Sequence, residues 1–542
     1  MTTASEHPMP LSDLAGRRVG VVGLGVSGLA MARWLAREGA DVVVLDSRES
    51  PPGAVALREH CPQATLLHAP FELQAFGEPP AAIAWSPGVS PLVGDARRLH
   101  EQARTASVPV LGELDLFSQA LQRLHATGYA PRVLAVTGTN GKTTVTELLA
   151  HLAREAGLDA QAAGNIGPAL LDALRDRLDA QRLPQLWALE LSSFQLALAE
   201  PPACTVAAIL NVTQDHFDWH GDMTAYREAK LRIHRRAATR VVNVDDPATD
   251  PDVRFDADGR GIDPAAALAQ ALRAAEAPGA KVSKAAIARA EKAARDAAAG
   301  KVGFGLGAPA TVPGYGVVRE GGLAWLVEAT ADGEPGARRT RGDAPERHVR
   351  RLMPADALRV RGSHNHANVL AALAMLRAAD VPMAPLLRGL RDFEAGAHRC
   401  RLVTVINDVE YIDDSKATNV GATVAALAGL SKRCVLIAGG LGKGQDFAPL
   451  ATAVRRHAKA VMLIGRDAPV LRAALRDTGV ELVDCDSMPA AVNEAARRAG
   501  TGESVLLSPA CASLDMFRNY PHRAEVFAAA VRELADALGQ PC

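Results

Sequence analysis

Short apolar runs alternate with longer amphipathic stretches along most of the chain. Arg18-Val-Gly-Val-Val-Gly23 reads as a buried strand, Leu29 to Glu38 as a helix stopped at Gly39, and Asp41-Val-Val-Val-Leu-Asp46 as a second strand. The pattern recurs at the strand Arg132-Val-Leu-Ala-Val136, which leads into Val145, Leu148, Leu149 and Leu152 at helical spacing up to Gly157. Further strands are predicted from Ile83, at Leu186–Glu190, Val206–Asn211 and Val241–Val244. In the last third they fall at Val403–Ile406, Cys434–Ala438, Ala460–Ile464, Val480–Val483 and Ser504–Leu507. Alternating strands and helices predict an α/β protein of doubly wound parallel sheets.

Two stretches break the pattern. From about Asp256 to Ala299 the chain turns Ala-, Lys- and Arg-rich, and Lys281 to Ala299 has only Val282 and Ile287 as large apolar anchors. This reads as a solvated insertion, with a basic partner-binding arm as the sharper alternative. Ala331 to Arg351 reads as a long surface loop. With 542 residues, three or four cores of roughly 150 residues are expected. The pattern places three α/β domains at 1–117, 118–396 with the insertion inside it, and 397–542.

Composition narrows the class. Hydrophobic residues are 48% and charged residues 22%, an ordinary globular balance. Lys+Arg 60 against Asp+Glu 61 leaves a net charge of −1, so a nucleic-acid wrapper is not expected. The 7 cysteines contain no C-x-x-C and read as reduced thiols. Arg17-Arg18 before the run Val19–Ala32 imitates a twin-arginine signal, but the run is too short to span a bilayer and holds 4 glycines. A soluble, cytoplasmic protein with no membrane or nucleic-acid partner is expected.

The glycines carry the candidate chemistry. Gly138-Thr139-Asn140-Gly141-Lys142-Thr143-Thr144 lies between a strand and an amphipathic helix. Such a loop cradles phosphate with backbone N–H groups, lets Lys142 reach the β/γ-phosphates, and offers a Thr hydroxyl to Mg²⁺. It is a variant of the full pattern, which has glycine where this chain has Val136. Gly23, Gly25 and Gly28 follow the first strand, and Asp46 closes the second. Alone, this suggests a nicotinamide dinucleotide site and a rival NAD-dependent oxidoreductase; a non-catalytic nucleotide-binding regulator is a third reading. Glu190-Leu-Ser-Ser-Phe-Gln195 and Asn211-Val-Thr-Gln-Asp215-His216 each end a strand with polar groups, where α/β sheets place ligands. Lys230 lies on a predicted helix. With a phosphate loop, this set supplies O and N ligands for Mg²⁺.

These motifs, with Gly362-Ser-His-Asn365-His-Ala-Asn368 and Ala397-His398-Arg399, resemble the Mur ligase family. Asp413-Asp414-Ser415-Lys416-Ala-Thr418-Asn419, Gly439-Gly-Leu-Gly-Lys443-Gly and Ser508-Pro-Ala-Cys-Ala-Ser513 are similar to its D-glutamate-adding branch. The resemblance implies a Rossmann-like N-terminal domain, a central P-loop-type ATPase domain and a Rossmann-like C-terminal domain. It also implies a monomeric ligase that uses ATP and Mg²⁺ to join D-glutamate to UDP-N-acetylmuramoyl-L-alanine in peptidoglycan synthesis. Another Mur-type amino-acid ligase is the near alternative. By the same resemblance, the glycine turn binds UDP instead of NAD, through Gly25, Val26, Ser27, Asp46, Ser47, Arg48, Ser86 and Gly88. Asn165 matches a substrate- or nucleotide-contacting position. Residues Gly138 to Thr144 with Asn365, Asn368, Arg399 and Asp414 would hold ATP. Thr143, Glu190, His216 and a carbamylated Lys230 would serve Mg²⁺. Lys142, Lys230, His216 and Glu190 form the implied catalytic set. Lys416, Thr418, Lys443, Ser513 and Tyr520 match the D-glutamate region.

Overall fold

The structure, a computed structural model, describes residues 14–255, 261–262, 268, 287–288, 298–331, 347–360, 362–394, 396, 398–430 and 432–540. Three main sheets organise it. The first has five parallel strands in the order Thr65–His68, Asp41–Asp46, Arg18–Val22, Ala82–Trp85 and Val110–Leu111. Val19, Val21, Val44 and Ala84 are fully buried within it, which is why these strands read as near-continuous apolar runs.

The central sheet has nine strands. Their order is Arg347–Pro354, Leu323–Ala331, Gly314–Glu320, Lys301–Phe304, Ala237–Asn243, Cys204–Ile209, Arg132–Thr137, Leu186–Glu190 and Ala160–Gly164. The strands from Gly314 onward pair in parallel, and the first two add an antiparallel edge. This corrects the loop expected over 331–351: Arg347–Arg351 is strand, and only 332–346 falls outside the described residues. Charge hid the strand in the sequence. Arg350 is exposed on this edge and pairs across the ladder with the buried Glu328 at 2.6 Å.

The third sheet runs Arg401–Ile406, Val409–Asp413, Ser504–Leu507, Cys434–Gly439, Ala458–Ile464 and Glu481–Asp484. It is parallel except for its first pair. The insertion expected over 256–299 lies almost wholly outside the described residues; within it, Gly261–Ile262 pairs with Arg254–Phe255. The division expected at 117/118 falls inside the helix Glu113–Ala126.

That helix explains how the first two sheets are joined. Leu114, Phe117 and Leu121 pack in one continuous core with Leu170, Leu174, Trp187 and Leu196 of the central unit. Phe117 meets Trp187 edge to face at 5.4 Å. The third sheet instead has apolar cores of its own, built from residues 400–535. Among the described residues, no helix is long and apolar enough to cross a membrane.

Candidate active site

The phosphate loop begins where Arg132–Thr137 ends. Gly138 (φ +153°) and Gly141 (φ +85°) take conformations that L side chains rarely adopt. A Cβ on Gly141 would also lie 2.4 Å from Asn368 Oδ1. The helix Lys142–Glu155 starts at once, so its free N–H groups face the loop. Lys142 Nζ donates to Gly138 O at 2.9 Å and Thr139 O at 2.8 Å. Lys230 Nζ donates to the same Gly138 carbonyl at 2.9 Å and lies 4.4 Å from the Tyr226 ring centroid. Burial pushes both amines below the ordinary lysine range, Lys230 far below it, where the Lys142 charge adds to the effect.

Glu190, 1% exposed, ends the neighbouring strand. Its Oε1 accepts from Asn165 Nδ2 at 2.8 Å, while its Oε2 is buried without a hydrogen-bond partner. An orphaned carboxylate oxygen at a phosphate loop is chemically suited to a hard cation. His216 stands at φ +58° and packs edge to face on Phe194 at 4.7 Å. Burial lowers its pKa, which keeps the imidazole neutral and able to ligate. Among the described residues, no three His, Cys, Asp or Glu side chains cluster as a closed metal site. The residues fit an open Mg²⁺ site completed by phosphate and water oxygens.

Beside the loop is a cavity of about 290 Å³ shared by the central and third units. Asn140, Gly141, Thr144, Asn365, Asn368, Arg399, Asp414 and Lys416, all named from sequence, line it. Asn243, Phe304 and His364 also line it and were not singled out from sequence; a polar Asn ending the strand Ala237–Asn243 was the available signal. Asp414 accepts from Ser508 Oγ at 2.8 Å, and burial raises its pKa to about 7. Lys416 lies 5.3 Å from the Tyr520 ring centroid; burial, then Arg399, lowers its pKa to about 8.

The segments expected from sequence to receive D-glutamate are tied together by a residue that the sequence did not mark. Arg523, fully buried, donates to Ser415 Oγ at 3.0 Å, Ser415 O at 2.7 Å and Cys511 O at 3.0 Å. It thereby ties the segment bearing Lys416 and Thr418 to the segment bearing Ser513. The Lys443 loop joins them through paired backbone bonds between Leu441 and Ala512. An arginine on a helix of mixed polarity gave no sequence signal, because its partners are two carbonyls and a hydroxyl outside that helix.

At the first sheet, Gly25 caps the helix Val26–Arg37 and has open space where a Cβ would stand. On Gly28 a Cβ would lie 1.9 Å from Gly23 O, so this glycine serves strand–helix packing. Asp46 accepts from Leu24 N at 2.7 Å and from Arg48, which lowers its pKa despite burial. Ser86 lies under Gly23, and Gly88 is open. Thus Gly25 to Ser27, Asp46 to Arg48 and Ser86 to Gly88 gather at the strand ends. Asn165 instead bonds to Glu190, at the phosphate loop.

Comparison with known proteins bears on these sites. The chain matches the Mur ligase MurD-like N-terminal domain over residues 17–112, the Mur ligase middle domain over 136–255 and the Mur ligase glutamate ligase domain over 398–511. It is 50% identical over 537 residues to the UDP-N-acetylmuramoylalanine--D-glutamate ligase of Ralstonia nicotianae, covering 97% of this chain and 99% of the relative. A protein of the same description in Burkholderia thailandensis is 49% identical over 523 residues, covering 95% and 96%. Among solved structures, MurF from Acinetobacter baumannii superposes with TM-score 0.53 at 16% identity, covering 95% of this chain and 93% of that one. MurC from Thermotoga maritima gives 0.52 at 17%, covering 96% and 100%.

Proposed function

The chain belongs to the Mur ligase family, and on that footing we propose that it joins D-glutamate to UDP-N-acetylmuramoyl-L-alanine, with ATP cleaved to ADP and phosphate. The observation that carries this reading is the shared cleft: phosphate loop on one wall, and the Arg399, Asp414 and Lys416 group on the other.

A carboxylate is a poor electrophile. Transfer of the γ-phosphoryl group to its oxygen makes an acyl phosphate and releases ADP. The amine of D-glutamate then attacks the carbonyl carbon, an amide C–N bond forms, phosphate leaves, and the amine gives up a proton. Two anions must first approach, which requires placed positive charge. Lys142 and the loop N–H groups hold the ATP phosphates. Thr143, Glu190 and His216 would hold Mg²⁺, with Lys230 adding an oxygen ligand if carbamylated; when bound, the cation would supply charge neutralisation at the phosphoryl oxygens. Asn365, Asn368, Arg399 and Asp414 hold the nucleotide. The turn at Gly25–Ser27 binds the UDP diphosphate at a helix N-terminus. Lys416, Thr418, Lys443, Ser513 and Tyr520 receive the amino acid. This assignment leaves the oxidoreductase reading without a role for the phosphate loop or Lys230.

Phosphate release measured across D-glutamate, L-alanine, lysine and diaminopimelate, with UDP-N-acetylmuramoyl-L-alanine present, tests the reading. D-glutamate is expected to dominate; if it is no better than the others, the assignment is wrong. Lys230→Ala is expected to lose turnover and regain part of it with added short carboxylates. Full activity without additive would show that no carbamate is needed.

A further inference from the structure

The two junctions of this molecule differ in kind. The first and central units share one apolar core, whereas the third unit keeps cores of its own and meets the central one around a cavity. The helix Val420–Gly429 lies along that second junction. Gly421, Ala422, Ala425 and Ala426 line the nucleotide cavity, and a Cβ on Gly421 would fall 2.8 Å from Thr213 Oγ1.

At the start of this helix Asn419, 4% exposed, meets both loops of the reaction centre. Its Oδ1 caps the helix by accepting from Ala422 N at 2.9 Å and also accepts from Asn140 Nδ2 at 3.2 Å. Its Nδ2 donates to Asn140 Oδ1 at 3.0 Å and to Asp215 Oδ2 at 3.3 Å. Asn140 belongs to the phosphate loop and is itself fixed, its N–H donating to Asn211 Oδ1 at 2.8 Å. Asp215 immediately precedes His216, whose backbone N–H donates to Asp215 Oδ1 at 2.9 Å. One amide therefore bridges the amino-acid unit to both the phosphate loop and the His216 loop.

We propose that Asn419 is a positioning residue for amide formation: its side chain docks the third unit on the phosphate loop and sets Lys416 and Thr418, three and one residues before it, against the activated carboxylate. The proposal rests on the ligase reading above. It assigns Asn419 to the docking on which amide formation depends, since Lys416 and Thr418 lie on the third unit while Lys142, Glu190 and His216 lie on the central one.

Asn419→Asp isolates the role. Aspartate is as good a helix cap, so the helix and its unit stay folded, but the amide donor becomes a carboxylate facing Asp215 and Asn140 Oδ1. Ligation is expected to fall by about tenfold or more, the scale of two lost buried donors and a like-charge contact. The thermal midpoint should be unchanged, and solution scattering with ADP and Mg²⁺ should show a larger radius of gyration than wild type. The exchange Asp215→Asn with Asn419→Asp restores one donor and one acceptor and should recover most of the loss. Wild-type ligation by Asn419→Asp, or no recovery in the exchanged pair while Asp215→Asn alone stays active, overturns the proposal. A wild-type protein that ligates no amino acid would instead overturn the ligase reading, while the scattering comparison still tests the docking contact.

Discussion

Lys142 and Lys230 converge on one carbonyl, Gly138 O. Burial lowers the proton affinity of both amines, and the Lys142 charge lowers that of Lys230 further. Only Lys142 was marked by its loop; Lys230 was a helical lysine until the fold buried it against Tyr226. Lys142→Ala is expected to abolish phosphate release, and near-normal turnover would show that the loop does not serve ATP. Lys416 gives a pH test. Its pKa is lowered to about 8, first by burial and then by Arg399. A lowered pKa means that the amine is charged below pH 8 and neutral above it. The KM for D-glutamate should therefore rise as pH passes through about 8, and Lys416→Arg should remove that inflection, because a guanidinium stays charged. A KM flat from pH 7 to 9.5 in the wild type would exclude a charge role for Lys416.

The glycine turn after Arg18–Val22 separates packing from binding within one short segment. Gly28 has no room for a Cβ and Gly25 has open space. Gly28→Ala is expected to lower stability by about 1–3 kcal/mol through overpacking, read as a shift in denaturant midpoint. Gly25→Ala should leave the midpoint in place and raise the KM of the UDP substrate, since its methyl would stand where the diphosphate approaches. Equal midpoint shifts for both would refute this division. The spacing of these glycines was legible in the chain, because a β-α-β turn demands it locally. The edge strand Arg347–Pro354 was not, because its exposed face carries charges and its pairing partner Leu323–Ala331 decides it. Arg523 was equally silent: what makes it structural is three acceptors brought to it by folding.

At the scale of the whole molecule, the shared core of the first two units and the separate cores of the third predict unfolding in two steps. All 5 tryptophans, Trp34, Trp85, Trp187, Trp219 and Trp325, precede the third unit. Tryptophan fluorescence should therefore report only the first two units in a denaturant titration, while far-ultraviolet circular dichroism reports all three. Two non-coincident curves are expected; superimposed curves would mean that the third unit does not unfold independently. The near-zero net charge fits the proposed function, in which Lys142 at the loop, and Arg399 and Lys416 in the cavity beside it, would meet the anionic groups without a basic surface. The amino-acid sequence by itself determined the α/β class, the strand ends that carry polar groups and the family, because apolar periodicity and glycine turns act over a few neighbouring residues. Tertiary structure alone decided that Asn419 meets Asn140, that Arg523 ties two distant segments, that Lys230 is buried and that the first junction is one continuous core while the second encloses a cavity. Those contacts join residues as far as 279 positions apart, and no local pattern in the chain encodes which groups will face each other across them.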